Sequence, residues 1–289
     1  MTSASVGADV PVLDIDACAL NAAWRRSPLG FRHRLAGHPL LSPDALAGLA
    51  ERVPPSLIEH HVAELPLVLP EGNPRRLRQA PGEVARGIAG NGCWMMYSLR
   101  RTEPYDALLS DVGKAVRAVA AVEQSAPDQG TATIFLASPG ASVPVHFDRH
   151  HNFLLHASGT KTVTVGAFAD PRDAQREIER NFSPERHNAH RVPEESRPFV
   201  LRPGDGLYIP PYTFHWVTGG PDVAVSLSCS FRTLASVRRE SVHQCNAGLR
   251  RLGLEPRPPE VRALQDYAKV ALLNSGNRVR DAWRGCRRR

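Results

Sequence analysis

Residues 143–161 read VPVHFDRHHNFLLHASGTK and hold four histidines, one aspartate and one lysine. Imidazoles and a carboxylate at close spacing are metal-ligand chemistry. His146 and Asp148 are two apart in a segment of β character, which turns both side chains to one face of a strand. A non-haem Fe(II) site needs two imidazoles and one carboxylate on one face of the ion, with the remaining positions open. The third ligand must then come from a distant strand. His215 in YIPPYTFHWV, preceded by PGDG, is placed to supply it, 67 positions (215 − 148) after Asp148.

Lys161 follows the tight ASGT turn, fifteen residues (161 − 146) after His146. An ammonium pointing into a narrow barrel is costly without a negative partner. The far carboxylate of 2-oxoglutarate, bound to iron through its other end, would be such a partner.

With these residues in view, HFDRHHNFLLHASGTK and the later PGDGLYIPPYTFHWV resemble the jumonji-C (JmjC) and cupin-like branch of the Fe(II)/2-oxoglutarate-dependent oxygenases. The layout is similar to that of the asparaginyl hydroxylase of hypoxia-inducible factor, over roughly residues 90–235. The resemblance implies His146, Asp148 and His215 as iron ligands and Lys161 as the anchor of 2-oxoglutarate. It also implies that Asn152, six residues after His146, touches the cosubstrate, and that Tyr97 in NGCWMMYSL joins Lys161. The pattern departs in two places: Val143 stands where a hydroxyl residue is common, beside Ser142, and Ser230 stands where the relative has asparagine. By the same resemblance the C-terminal helices form a homodimer, and the reaction is hydroxylation of a C–H bond, first of all in a peptide or protein side chain.

The elements that must position these residues divide the chain into three zones. Residues 1–90 are expected to be a helical and irregular flank, with helices at SPDALAGLAERV and PPSLIEHHVAEL. Ser42 as N-cap and Pro43 at the first helical position favour the first of these. Residues 91–234 are expected to form the catalytic domain. It contains an amphipathic helix over 103–124 and eight short segments rich in Val, Phe, Thr and Leu, from TATIFLAS to VAVSLSCSF, separated by PGAS, SGT, PGDG, IPPY and GGPD. The fold class this gives is mainly β, a double-stranded β-helix (jelly roll, cupin) core with helical flanks. The polar stretch 170–196 reads as a surface excursion able to cover the barrel mouth. Residues 235–289 read as amphipathic helices.

The chain has 289 residues, net charge +7, and no apolar run of membrane-spanning length. Five scattered cysteines fit no disulfide framework and no CxxC zinc site, so a cytoplasmic protein is expected. Basic clusters at 24–26, 74–78, 237–240 and 284–289 could attract nucleic acid or an acidic peptide. The first reading, however, is the ordinary surface charge of a chain in which arginine is the common charged residue, since no nucleic-acid recognition motif accompanies them. His150, His151 and His156 are expected near the site or at the surface rather than on the metal, and His187 and His190 are expected to be solvated. Trp216 and Phe147 read as core, while Tyr208 suits either core or mouth. Three other readings stand beside the leading one: a hydroxylase of a small-molecule or natural-product intermediate, a non-enzymatic cupin-like metal-binding regulator, and a cupin holding another divalent metal. The last leaves Lys161 and Asn152 without a role.

Overall fold

The computed structural model describes residues 12–69, 75–99, 102–120, 130–182 and 189–286, with side chains as far as residue 275. Residues 121–124, His187 and the side chains of the closing basic cluster lie outside these. The chain begins with β1 (Leu13–Asp14), α1 (Ala17–Ala23), β2 (Leu29–His33), α2 (Pro43–Ala50), β3 (Ile58–Val62), α3 (Pro81–Arg86), β4 (Cys93–Tyr97) and α4 (Tyr105–Val119). Next come β5 (Thr131–Ala137), β6 (Ser142–His146), β7 (His151–Ser158), β8 (Lys161–Ala167), α5 (Pro171–Arg180), β9 (Glu195–Leu201), β10 (Asp205–Ile209), β11 (Phe214–Gly219) and β12 (Ala224–Phe231). Helices α6 (Leu234–Arg251) and α7 (Ala263–Cys286) follow.

All eight expected β segments form, as β5 to β12. They pair antiparallel into two sheets, of order β1-β2-β10-β7-β12-β5-β4-β3 and β6-β11-β8-β9. The strands of the second sheet lie against β10-β7-β12-β5, which is the jelly roll. Local chemistry places the helices. Ser42 Oγ accepts from the Ala45 N–H at 3.2 Å and Pro43 opens α2, while α6 starts in a reciprocal box between Thr233 and Ser236. In α4, Tyr105, Leu108, Leu109, Val112 and Val116 fall on one buried stripe at helical spacing.

Two expectations are corrected. The first zone is not a separate helical flank, because β1, β2 and β3 extend the larger sheet at both edges. PPSLIEHHVAEL contains only one 3-10 turn, Pro55–Leu57, and then β3, whose backbone pairs with β4 from Ile58↔Tyr97 to Val62↔Cys93. Its residues lack a helical apolar stripe, and an open sheet edge offers hydrogen bonds that a short helix would not. The stretch 170–196, in its described part, packs onto the barrel rather than standing off as an excursion, and its Phe182 reaches Arg149 beside Asp148. There α5 packs Ile178 and the partly buried Ala174 onto Phe214, Trp216 and Val145, on the outer face of the smaller sheet.

Apolar burial is split unequally. The largest cluster lies outside the barrel, where Phe153, Leu155, Ile134, Leu136, Leu227 and their neighbours meet α2, α3 and α4. Inside, a smaller cluster of Leu154, Val163, Leu201, Leu207 and Ile209 fills part of the space between the sheets. Strand β7 is therefore buried on both faces, which explains why HNFLLHA reads as an almost unbroken apolar run. Its hairpin to β8 turns at Gly159, where φ is +73° and a Cβ would stand against the Val223 carbonyl oxygen. This turn sets the direction of Lys161. Gly159→Ala should lower stability by about 1–3 kcal/mol in chemical unfolding. Gly140→Ala, with a similar φ of +69° but open space around it, should lose less, and equal losses would contradict the steric account.

Candidate metal and cosubstrate site

Strand β6 pairs with β11 so that His146 stands directly opposite His215. The two rings lie 4.2 Å apart between centroids. His146 Nδ1 is 2.8 Å from the Pro144 carbonyl and His215 Nδ1 is 2.9 Å from the Thr213 carbonyl. A carbonyl only accepts, so each Nδ1 carries the proton and each Nε2 presents its lone pair. Ring nitrogens tied to backbone carbonyls in this way are the usual support of metal-bound histidine. Asp148 lies two residues past His146, beyond the end of β6 rather than on the strand. Its Oδ2 stands 3.9 Å from His215 Nε2, too far for a hydrogen bond and close to twice a metal–ligand bond of about 2.1 Å. One ligand atom from each of the three residues falls within 4.8 Å of the others, and they are the metal-capable group found among the described residues.

The turn between β10 and β11 holds two of these residues at once. Tyr212 has φ of +63°, and its N–H donates to the Asp148 carbonyl at 2.7 Å. The next residue, Thr213, supplies the carbonyl that orients His215. Protonation suits a cation. Burial alone would push the Asp148 carboxyl up, but the His146 and His215 imidazoles and the Asn152 amide hold it below its ordinary value. Burial, helped by His146, lowers His215 to about 4. An ionised carboxylate beside a neutral imidazole is the state that binds a metal ion, and the donor set fits a ferrous centre.

Deeper in the barrel, Lys161 shares the inward face of β8 with Val163. It is 9% exposed, and among the described residues no hydrogen bond or ion pair to its ammonium is found. Burial lowers it to about 7. Its charge is felt at both His215 and His156, where it favours the neutral imidazole, so it lies between the ligand set and the barrel floor. Asn152 and Ser230 are cross-strand partners on β7 and β12. Ser228, which the sequence reading missed, donates to Asn152 Oδ1 at 2.8 Å and lies 3.2 Å from Ser230 Oγ. The signal was present: in SLSCS, 228 keeps the parity of 230. These residues form a polar wall on the inward face, and the Asn152 amide nitrogen is 3.5 Å from Asp148 Oδ2.

Tyr97 is a correction. It is fully buried on the opposite face of β4, in the cluster under α2, and its hydroxyl donates to the Leu46 carbonyl at 3.2 Å. It therefore does not join Lys161. Alternation gives the other face of β4 to Trp94 and Met96, and a one-residue displacement in a strand exchanges faces. His156 and His151 are structural, and His190 is exposed as expected. His156 is fully buried, with Nδ1 2.9 Å from Ser226 Oγ and Nε2 3.0 Å from the Gly159 carbonyl. His151 faces outward from the barrel, stacked on Trp24 at 4.3 Å and bonded to the Tyr208 hydroxyl at 2.9 Å, which makes Tyr208 core as well. His190 is held by Glu177 on α5. Trp216 is buried as expected, with Phe147 partly buried beside it. Among the cysteines, Cys93, Cys229 and Cys245 are buried and Cys18 is exposed.

A protein-family model described as the JmjC domain matches residues 115–238. This segment, under half of the chain, is similar to a JmjC domain. Jumonji C domain-containing protein 5 of Drosophila melanogaster is 33% identical over 107 residues, 32% of this chain and 26% of that protein. The match thus spans about a quarter of the relative. Among solved structures, E. coli ycfD is similar with a TM-score of 0.55 and 18% identity, over 91% of this chain and 68% of that one. A second structure, described as YcfD, a ribosomal oxygenase from Escherichia coli, in complex with cobalt and 2-oxoglutarate, is similar with a TM-score of 0.51 and 18% identity, over 92% and 68%. At such identity these structures speak for the fold.

Lys161 gives this barrel a measurable signature. At pH below about 7 the folded chain carries the buried charge and bears its full cost. As pH rises from about 7 toward 10.5, the folded lysine is neutral while the unfolded one still binds a proton, so stability increases across that window. Chemical unfolding of metal-free and cosubstrate-free protein should show this rise. Lys161→Met should flatten it and be the more stable chain at pH 7; identical profiles for both chains would refute the burial.

Proposed function

We propose that the chain is an Fe(II)- and 2-oxoglutarate-dependent hydroxylase acting on a peptide or protein side chain. The observation that carries this is the convergence of two imidazoles and a carboxylate in the barrel that also buries the Lys161 ammonium, which has no hydrogen bond or ion pair among the described residues. A metal-only function accounts for the first feature and leaves the second costly. The JmjC match supports the reading, as does a similar fold described as a ribosomal oxygenase with cobalt and 2-oxoglutarate bound.

In this reading His146, Asp148 and His215 hold the iron. Lys161 takes the far carboxylate of 2-oxoglutarate, regains its charge there, and is steadied by the polar wall of Asn152, Ser228 and Ser230. Iron and 2-oxoglutarate together would supply the oxidising power, coupling decarboxylation of the cosubstrate to hydroxylation of a C–H bond. The protein aims both imidazoles through the Pro144 and Thr213 carbonyls, keeps Asp148 ionised, and excludes water below the site with Leu154, Val163, Leu201 and Leu207.

Anaerobic titration with Fe(II) and 2-oxoglutarate should give the weak visible charge-transfer band of the chelate. His146→Ala and Asp148→Ala should abolish the band and the formation of succinate. Lys161→Ala should keep metal binding and raise the 2-oxoglutarate concentration required about tenfold or more, the loss of one charge-assisted contact. Succinate formation that survives both ligand substitutions would end the proposal.

No helix among the described residues is long and apolar enough to cross a membrane. The described cysteines are free, which supports a reducing, cytoplasmic setting. We also infer a homodimer through the C-terminal helices, supported by Leu264, Tyr267 and Leu272, exposed at 86%, 58% and 60% on α7. Leu264→Glu with Leu272→Glu should give a monomer in sedimentation; a wild-type monomer would refute the dimer.

A further inference from the structure

The end of the barrel that carries the ligand set also carries a fixed pair of guanidiniums. Arg149 follows Asp148 directly, and Arg232 lies two residues past Ser230, each beyond the end of its strand. Between them stands Glu240 of α6. Its Oε1 accepts from Arg149 Nη1 at 2.9 Å and its Oε2 pairs with Arg232 Nη2. Arg149 also lies over the Phe182 ring, 4.3 Å from its centroid. One carboxylate between two guanidiniums locks their orientation and leaves one positive charge in surplus. About a third of each arginine side chain, 34% and 29%, remains exposed at the rim, and each keeps donors that Glu240 does not use.

Behind the pair the positive character continues. Arg239 sits over the Tyr212 ring at 4.8 Å. The Tyr212 hydroxyl is buried and finds no hydrogen-bond partner, in a residue that is only 5% exposed. Further round the rim, Trp24, Arg25, Arg26 and Glu260 line a cavity of about 360 Å³, with Arg25 paired to Glu260. Arg239 lies within electrostatic reach of both Arg25 and Glu260, so acidic and basic groups alternate here.

We propose that Arg149 and Arg232, held by Glu240, bind an acidic side chain of the substrate, so that the segment presented to the metal is an acidic peptide. This deepens the hydroxylase reading and rests on it for the word substrate. Preoriented guanidiniums with spare donors match a carboxylate in both charge and geometry. Nucleic acid fits less well. Its backbone calls for a row of unpaired cations, whereas Glu240 and Glu260 interrupt this band and leave a surplus on the scale of one carboxylate at a time.

The test is binding to the full chain without iron, read by fluorescence anisotropy. The probes are a labelled Glu-rich peptide, the same peptide with Gln at each Glu, and a single-stranded oligonucleotide of equal length. The Glu peptide should bind about tenfold or more tightly than its Gln counterpart. Arg149→Ala and Arg232→Ala should each weaken it by a similar factor, and Arg232→Glu should abolish the preference, with unfolding midpoints confirming that each variant folds. Arg149→Lys should restore only part of the affinity, since lysine lacks the fork. Equal binding of the two peptides, wild-type affinity in the alanine variants, or capture of the oligonucleotide in place of the peptide would overturn the proposal. Succinate formation separates the two readings: a chain that makes succinate and ignores acidic peptides loses only this inference, and one that binds them without turnover loses only the hydroxylase.

Discussion

The register between β6 and β11 is the constraint on which the site depends. Placing His146 opposite His215 puts two imidazoles at the short cross-strand distance, and the carbonyls of Pro144 and Thr213 then fix which nitrogen of each ring is free. A slip of β6 by one residue would turn the His146 ring to the outer face, away from His215. The register is held from the other side by β8, which pairs with β11 from Phe214↔Gly166 to Gly219↔Lys161. Lys161 and His215 are thereby placed by one ladder, so the cation at the floor and the ligand at the mouth keep a fixed separation.

A buried charge of this kind is a standing cost in the empty protein. The apolar, well-packed inward neighbours of the ammonium raise that cost, which binding an acid would reverse. Asp148 obeys the opposite logic: its burial would favour the neutral carboxyl, yet two imidazoles keep it ionised. The two groups, a few strand positions apart, are tuned in opposite directions by the same low-dielectric interior.

Much of this was legible in the chain itself. Eight β segments, the α2 cap at Ser42 and the gathering of His146, Asp148 and His215 could be read from residue type and spacing, although Asp148 lies past the end of β6 and so was not placed by strand alternation. The misplacements have a common origin in tertiary context. Tyr97 was carried over by resemblance without its parity on β4, and parity decides the face. The IEHHV segment became a strand because β4 offered it an edge, and nothing within twelve residues announces that edge. The stretch after β8 became α5 because it found the outer face of the smaller sheet. Arg149 and Arg232 were visible as basic residues, but the carboxylate that orients them lies on a helix that follows in the chain, and only the fold brings the three together.

The division of apolar burial into an outer and an inner cluster has an evolutionary consequence. The outer layer, where Phe153, Leu155, Ile134 and Leu227 meet the helices, anchors the larger sheet without help from the cavity lining. Inward-facing positions can therefore change with less effect on the scaffold than outward-facing ones, a separation of durability from adaptability built into the two sides of the same strands.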